Sequence, residues 1–420
     1  MKKKLLAVMI VGILALTMIS AFVGCQAEGE DYADLVTVRI NNRMAEWENI
    51  DYNFTNEGSS KLSVQVPYTN YLQFSDLIVS PKAQATVYED EEQTKIVEDV
   101  NKIYVDGDKT LYVKVENKDK VNNYVLDINV RQDNLPPEKD IATKQYDNRE
   151  GHIYIAQDAE TVTIDGEVYY VIRRIEQLIN RQIIGNHILA KSITLADVSN
   201  QRPLGVLNIR QLGVFDANCY HLYFNATYPF FETIQQTGVL KNAIFEFYIE
   251  DTVLEYSSVA TLSVVAKNNY GTIENVKTDL DLVDKAEHKF GHQWSFFASV
   301  NKGEIKNCIN TGDMTTINSN AKIGNKMSVF STENYGIIDN CVNTGTVKNN
   351  LHDTMKEGNG ASTVAYMSMT GASYRGVYNL GECTTIKKYS DSIDKKLNIF
   401  FMKTQDGQYP DMSTMRNYIR

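Results

Sequence analysis

The chain writes nearly the same fourteen residues twice, NKGEIKNCINTGDM from Asn301 to Met314 and NYGIIDNCVNTGTV from Asn334 to Val347, 33 positions apart. The shared word extends beyond this pair. Gly238-Val-Leu-Lys-Asn242, Gly271-Thr-Ile-Glu-Asn275, Gly303-Glu-Ile-Lys-Asn307 and Gly336-Ile-Ile-Asp-Asn340 are four copies of Gly-x-(Ile/Leu)-x-Asn, at steps of 33, 32 and 33 residues. A weaker fifth copy, Gly376-Val-Tyr-Asn379-Leu-Gly381, matches Asn310/Gly312 and Asn343/Gly345 through its Asn379 and Gly381. A fixed period of this length means one structural unit stacked on its own copies. Ankyrin repeats share the period but need two helices and a T-P-L-H turn, and leucine-rich repeats need a Leu ladder that is missing here. Short strands broken by Asn and Gly leave a parallel β-helix. In it Ile273, Ile305 and Ile338 form one inward apolar stack, and Asn275, Asn307 and Asn340 form an amide ladder at a turn, each rung about 4.8 Å from the next. The glycines are expected to hold turn conformations that a Cβ would strain.

Those words resemble the GLUG-type repeat of bacterial surface proteins, a resemblance that implies a right-handed parallel β-helix over residues 150–386. It extends upstream. Glu167 to Leu207 resembles the entry to such helices, with a capping helix that places Ile172, Ile175, Leu178 and Ile179 on one face, followed by the strand HILAKSITL. GVFDANCYHLYFNAT, Gly213 to Thr227, resembles a further signature of the family, but Ala217, Cys219 and Tyr220 stand where Gly, Gly and His are usual. Residues 387–420 read as a C-terminal cap or tail.

Residues 35–132 alternate at period two instead. Val36, Val38 and Ile40 come first, then Leu62, Val64 and Val66, then Leu111, Val113 and Val115, then Tyr124, Leu126, Ile128 and Val130. Turns at Gly107-Asp108 and Asn117-Lys118-Asp119 separate the later strands. Several short strands in about 95 residues imply a β-sandwich. The close, KTLYVKVENKDKVNNYVLDINVRQ, resembles the final hairpin of the bacterial cadherin-like family, whose modules act as spacers or adhesive stalks. Residues 133–149, with Pro136-Pro137, read as a stiff linker. The fold class expected is thus all-β, an Ig/cadherin-like sandwich followed by a parallel solenoid.

The first 24 residues have the layout of an export signal, with Lys2, Lys3 and Lys4 ahead of an uncharged run from Leu5 to Val23. The Gly24-Cys25 ending resembles a bacterial lipoprotein signal, which implies lipidation of Cys25, a tether over 25–34, and a membrane partner through that anchor; Phe22 stands where that family usually has Leu. An uncleaved spanning anchor is the other reading of the same run. Both place the remainder outside the cytoplasm. The net charge is −11, and three lysines lie ahead of Cys25, so the remainder carries −14. That balance argues against nucleic acid as a partner, since phosphate binding needs clustered Lys and Arg.

Candidate chemistry is sparse. Asp279, Asp281 and Asp284 offer carboxylates for polysaccharide cleavage, which needs a convergent pair. A solvated loop is the plainer reading. Glu287, His288 and His292 invite a metal, but Phe290-Gly291 interrupts any helix there. Glu89, Asp90, Glu91 and Glu92 lack the spaced pattern of a calcium loop. No cofactor and no metal are expected. Cys308 and Cys341 fall at equivalent sites and are expected to stack as small apolar residues rather than bridge. Asn53 and Asn225 match glycosylation acceptors that a bacterial signal makes incidental. Tyr270 and Tyr335 share one repeat position with Lys302 between them, which suits either sugar stacking or turn packing. The sequence therefore implies a non-catalytic surface protein, in which a sandwich stalk displays a β-helix that contacts glycans or other surface proteins. The alternative is a β-helix lyase or hydrolase.

Overall fold

The computed structural model describes residues 32–48, 60–132, 135, 160–173, 177, 182–194, 207–209, 212–224, 229–247, 261–284, 293–316, 326–350, 360–386, 400–404 and 415–417. Their regular elements are β-strands in seven sheets. The fold is all-β, with a first unit of mostly antiparallel pairs and a second of parallel ladders.

In the first unit, Lys120–Val130 is the pivot. It pairs antiparallel with Lys109–Asn117 and parallel with Ser60–Val66, so that Leu126 lies opposite both Leu111 and Leu62. The expected inward residues of these three strands are all buried. A second sheet, Arg43–Met44, Leu35–Ile40 and Phe74–Val79, contributes to the same core through Leu35, Val38, Ile40 and Phe74. Leu35–Ile40 departs from simple alternation, since all six of its residues are buried. A register shift between Leu35 and Thr37 turns Val36 away from Val38. Val36 leaves the first unit's core and joins a separate cluster with Met44, Ile309, Val342 and Leu380.

The second unit repeats a cycle of parallel pairings. Thr272–Glu274 pairs with Glu304–Lys306, which pairs with Ile337–Asn343, which pairs with Ser373–Asn379. Ala266–Asn269, Ala298–Asn301, Ser331–Asn334 and Ala365–Ser368 form a second parallel ladder beside it. The column Phe215, Leu240, Ile273, Ile305, Ile338 runs residue on residue through the first of these ladders, all fully buried. The expected inward Ile stack is therefore present and starts earlier than the four-copy word suggests. Val214 pairs with Val239 only 25 residues on. The step grows to 33 at Val239–Thr272, and the ladders that begin at Thr261–Ser263 and Leu282–Asp284 add strands to each later cycle.

The expected capping helix is corrected at Ile172 alone, and Gln177, the other described residue of that segment, lies in a helical turn. Ile172 closes the strand Glu167–Ile172, while Ile175, Leu178 and Ile179 lie outside the described residues. The run EVYYVI is β-branched and aromatic, which fits a pleated surface better than a helix. That strand forms a hairpin with Thr161–Ile164 around Asp165 (φ 52°) and Gly166 (φ 82°), the two left-handed residues that a tight hairpin turn requires. An antiparallel hairpin thus covers the start of the parallel sheet.

The turn residues exchange the expected roles. Positive φ falls on the asparagines, at 57° for Asn242, 49° for Asn275, 53° for Asn307 and 46° for Asn340. Asn is the side chain that tolerates this region best. The glycines serve close approach instead. A Cβ on Gly303 or Gly336 would overlap the carbonyl oxygen of Gly271 or Gly303 in the preceding cycle. In the fifth copy Gly376 (φ 54°) takes the place of Asn340, not of the opening glycine, because Asp339 pairs with Arg375 and Cys341 with Val377.

The Asn ladder is broken at one rung, and the first unit fills the break. Asn275 Nδ2 donates to Asn242 Oδ1 at 2.8 Å, and Asn340 Nδ2 donates to Asn307 Oδ1 at 2.8 Å. Between them, Asn275 Oδ1 accepts the Met44 backbone N–H at 2.9 Å, and Asn307 Nδ2 donates to Glu46 Oε1 at 3.0 Å. Arg416 pairs with Asp34 at 3.1 Å and covers the Tyr32 ring at 4.7 Å, which ties the far end as well. The two units are therefore docked side by side along the ladders, and not joined through the 133–149 linker alone; Leu135 is the described part of that linker.

Two predictions follow from these contacts. Ile305→Asp places a carboxylate without a partner in the apolar column, at a cost of several kcal/mol. Thermal unfolding of that variant should lose its cooperative transition, and an unchanged melt would refute the inward placement. Glu46 keeps some solvent contact, yet partial burial and then the Glu274 carboxylate push its carboxyl above the usual range, with Lys306 opposing. A carboxyl raised on folding is penalised above its folded pKa, and the penalty fades as pH falls from there toward its unfolded value. Glu46→Gln keeps the acceptor and loses the penalty. It should hold or raise Tm at pH 7 and flatten this part of the pH dependence, whereas Glu46→Ala should lower Tm.

Candidate ligand-contact surface

A second buried ladder builds the strip where the ligand-contact candidates lie. Asn269 Nδ2 donates to Asn301 Oδ1 at 2.8 Å, and Asn301 Nδ2 donates to Asn334 Oδ1 at 2.7 Å. All three side chains are fully buried. The next residue in each case is Tyr270, Lys302 or Tyr335, followed by a glycine that lets adjacent cycles approach. The backbone N–H groups of Tyr270, Lys302 and Tyr335 donate to the carbonyls of Ile234, Asn269 and Asn301 at 2.8, 2.7 and 2.7 Å. Each outward side chain thus stands on a fixed backbone and an amide that cannot turn.

The structure brings the three residues together as the spacing implies. Lys302 Nζ lies 5.6 Å from the Tyr270 ring centroid and 5.2 Å from that of Tyr335, a cation held between two aromatic faces. Tyr270 is 41% exposed and Lys302 is exposed, so the strip faces solvent. Slight burial, then the adjacent Glu333, raise the Tyr335 phenol, which keeps it a neutral donor. Beside Tyr270 and Lys302 lies an open depression of about 390 Å³, completed by Thr233, Gln235 and Gln236 from the preceding cycle. Sequence reasoning missed those three, because they lie one cycle back and belong to no repeated word. It also missed a second Tyr–Lys grouping on the first unit, where exposed Tyr71 and Tyr104 meet edge to face at 5.9 Å and Lys102 stands 5.2 Å from Tyr71.

The carboxylate candidates have local duties. Asp279 pairs with Lys277 at 3.1 Å. Asp281 Oδ1 accepts the Asp313 N–H at 2.8 Å, and Asp313 Oδ1 accepts the Thr346 N–H at 2.6 Å, so these acids bridge backbone between cycles. Asp284 lies in the strand Leu282–Asp284, and its side chain is outside the described residues, as are Glu287, His288, His292, Asn53, Asn225 and Cys25. In the acidic loop, Asp90 accepts the N–H groups of Thr94 and Lys95 at 3.0 and 2.8 Å and the Thr94 hydroxyl, and Glu89 pairs with Lys109 at 3.2 Å. The Thr94 hydroxyl, then the Lys95 N–H, hold the Asp90 carboxyl below its usual range. Among the described residues no three His, Cys, Asp or Glu side chains gather as a metal site.

Cys308 and Cys341 are both free and fully buried, in a small-residue column with Ala243 and Val276. Cys219 takes φ 66°, where the resembled signature has glycine, and lies near Arg43 of the first unit. Burial pushes its thiol up, with Arg43 opposing.

The chain matches no protein-family model, no curated protein and no solved structure.

If Asp281 serves as a backbone acceptor, Asp281→Asn keeps the bond and Asp281→Ala loses it. Urea unfolding should show the Asn variant near the parent and the Ala variant about 1 kcal/mol less stable. Equal loss in both would assign the charge itself a role.

Proposed function

We propose that the protein is a lipid-anchored extracytoplasmic surface protein that binds surface glycans or other surface proteins without catalysis. In this reading the parallel ladders wind as a right-handed β-helix, the first unit is a cadherin-like β-sandwich braced against it, and Cys25 carries the lipid. The observation that carries the binding role is the outward column Tyr270, Lys302, Tyr335, with the cation 5.6 and 5.2 Å from the two rings. Aromatic faces and a fixed cation suit sugar rings, whose C–H faces stack on π-systems while their hydroxyls meet polar neighbours. The charge of −14 beyond the first 24 residues argues against nucleic acid. Binding is favoured over polysaccharide cleavage because Asp279 and Asp281 are held by Lys277 and by the Asp313 N–H.

The test expresses the full chain in a bacterial host. The protein should fractionate with membranes and incorporate labelled palmitate, and Cys25→Ala should abolish the label and release the protein in soluble form. The released form should be retarded by immobilised polysaccharide or surface protein and leave the polysaccharide length unchanged. Shortened polysaccharide, or label that survives Cys25→Ala, would refute the respective half of the reading.

A further inference from the structure

We infer that the strip recognises the carboxylate of an acidic glycan, with Lys302 as the charge-reading residue; the inference rests on the glycan-binding reading above. Lys302 is the only cation of the column and has no carboxylate within ion-pair reach among the described residues. Its contacts there are the two tyrosine rings. Lys267, on a strand of the same ladder, is already satisfied by Glu232. Glu333, an acid on the neighbouring cycle, is engaged with Tyr335. An exposed ammonium that is positioned yet unneutralised, on a chain of net charge −11, is a local exception to the field around it. Ring faces on either side hold the ammonium in place without cancelling its charge, so it remains available to an anion.

The surroundings restrict which anion fits. The depression beside Lys302 is lined by Thr233, Gln235 and Gln236, and the two glutamine amides have no hydrogen-bond partner among the described residues. They offer donors and acceptors for sugar hydroxyls next to the charge. Tyr270 and Tyr335 stand two cycles apart, roughly 10 Å at the usual strand spacing, so one polymer laid along the strip can meet both. A single ammonium matches one carboxylate per sugar, whereas a phosphate or sulfate cluster would call for several cations or an arginine fork.

The experiment compares uronate polymers (polygalacturonate, alginate and hyaluronan) with their methyl esters, which keep the backbone and remove the charge. Binding is measured by affinity electrophoresis with the full chain in detergent. At least one uronate should bind tenfold or more tightly than its ester, and the gap should shrink as salt rises. Lys302→Gln should close the gap between acid and ester, Lys302→Arg should preserve it, and Lys267→Gln should not alter it. Equal binding of acid and ester, or an equal effect of Lys267→Gln, would overturn the carboxylate assignment while leaving glycan binding intact. Failure to bind any acidic or neutral polysaccharide on a broad glycan array would overturn both.

Discussion

Register between successive cycles is the constraint on which the rest depends. When parallel strands pair in register, every buried side chain meets its own equivalent above and below. Apolar columns are then self-consistent, as with Ile273, Ile305 and Ile338. A buried amide is tolerable only if its neighbour supplies the matching amide, because an unpaired buried polar group costs about 1–3 kcal/mol. The ladder from Asn310 through Asn343 and Asn379 to Asn417 meets this at 2.8, 2.9 and 2.7 Å, and Thr278 donates into its open end. Slippage by one residue would break every such bond at once and turn the isoleucines outward.

That constraint explains how the first unit is attached. The ladder from Asn242 to Asn340 lacks one bond, and the missing donor and acceptor come from Met44 and Glu46. Around this point the interface is charged as well as apolar. Lys306 pairs with Glu274 at 3.3 Å, and Arg43 lies buried near Asp216 and Glu274. Burial works against the Arg43 charge, but the surrounding groups, the Asp216 and Glu274 carboxylates among them, more than offset it. A strand that is apolar on one face needs one core. Leu35–Ile40 is buried throughout, and so it needs two.

Much of this is legible in the sequence. The period gave the parallel stacking, and the alternation gave the strands of the first unit. The Tyr–Lys–Tyr column followed from the same spacing. Other features were written but misread. Asp165-Gly166 is a plain hairpin signal, and Ile172, which also fits a helical stripe, belongs to the second strand of that hairpin. Gly213 to Ala217 lies in register with Gly238 to Asn242, but its 25-residue step, with Phe215 and Ala217 in place of the Leu and Asn of the repeated word, hides it from the 33-residue period. The glycines were assigned strained dihedrals, when the asparagines carry those and the glycines admit a neighbouring carbonyl.

The sequence by itself determined what repeats, because stacking imposes the same demands on each cycle and those demands leave the same residues behind. It determined the all-β class for the same reason. Only the tertiary structure decided what lies against the repeats. The contacts of Met44 with Asn275 and of Glu46 with Asn307 span more than 200 residues of chain, occur once, and so leave no period to read. The depression of Thr233, Gln235 and Gln236 beside Lys302 was likewise invisible, since it exists only where the backbone of one cycle is brought beside the next.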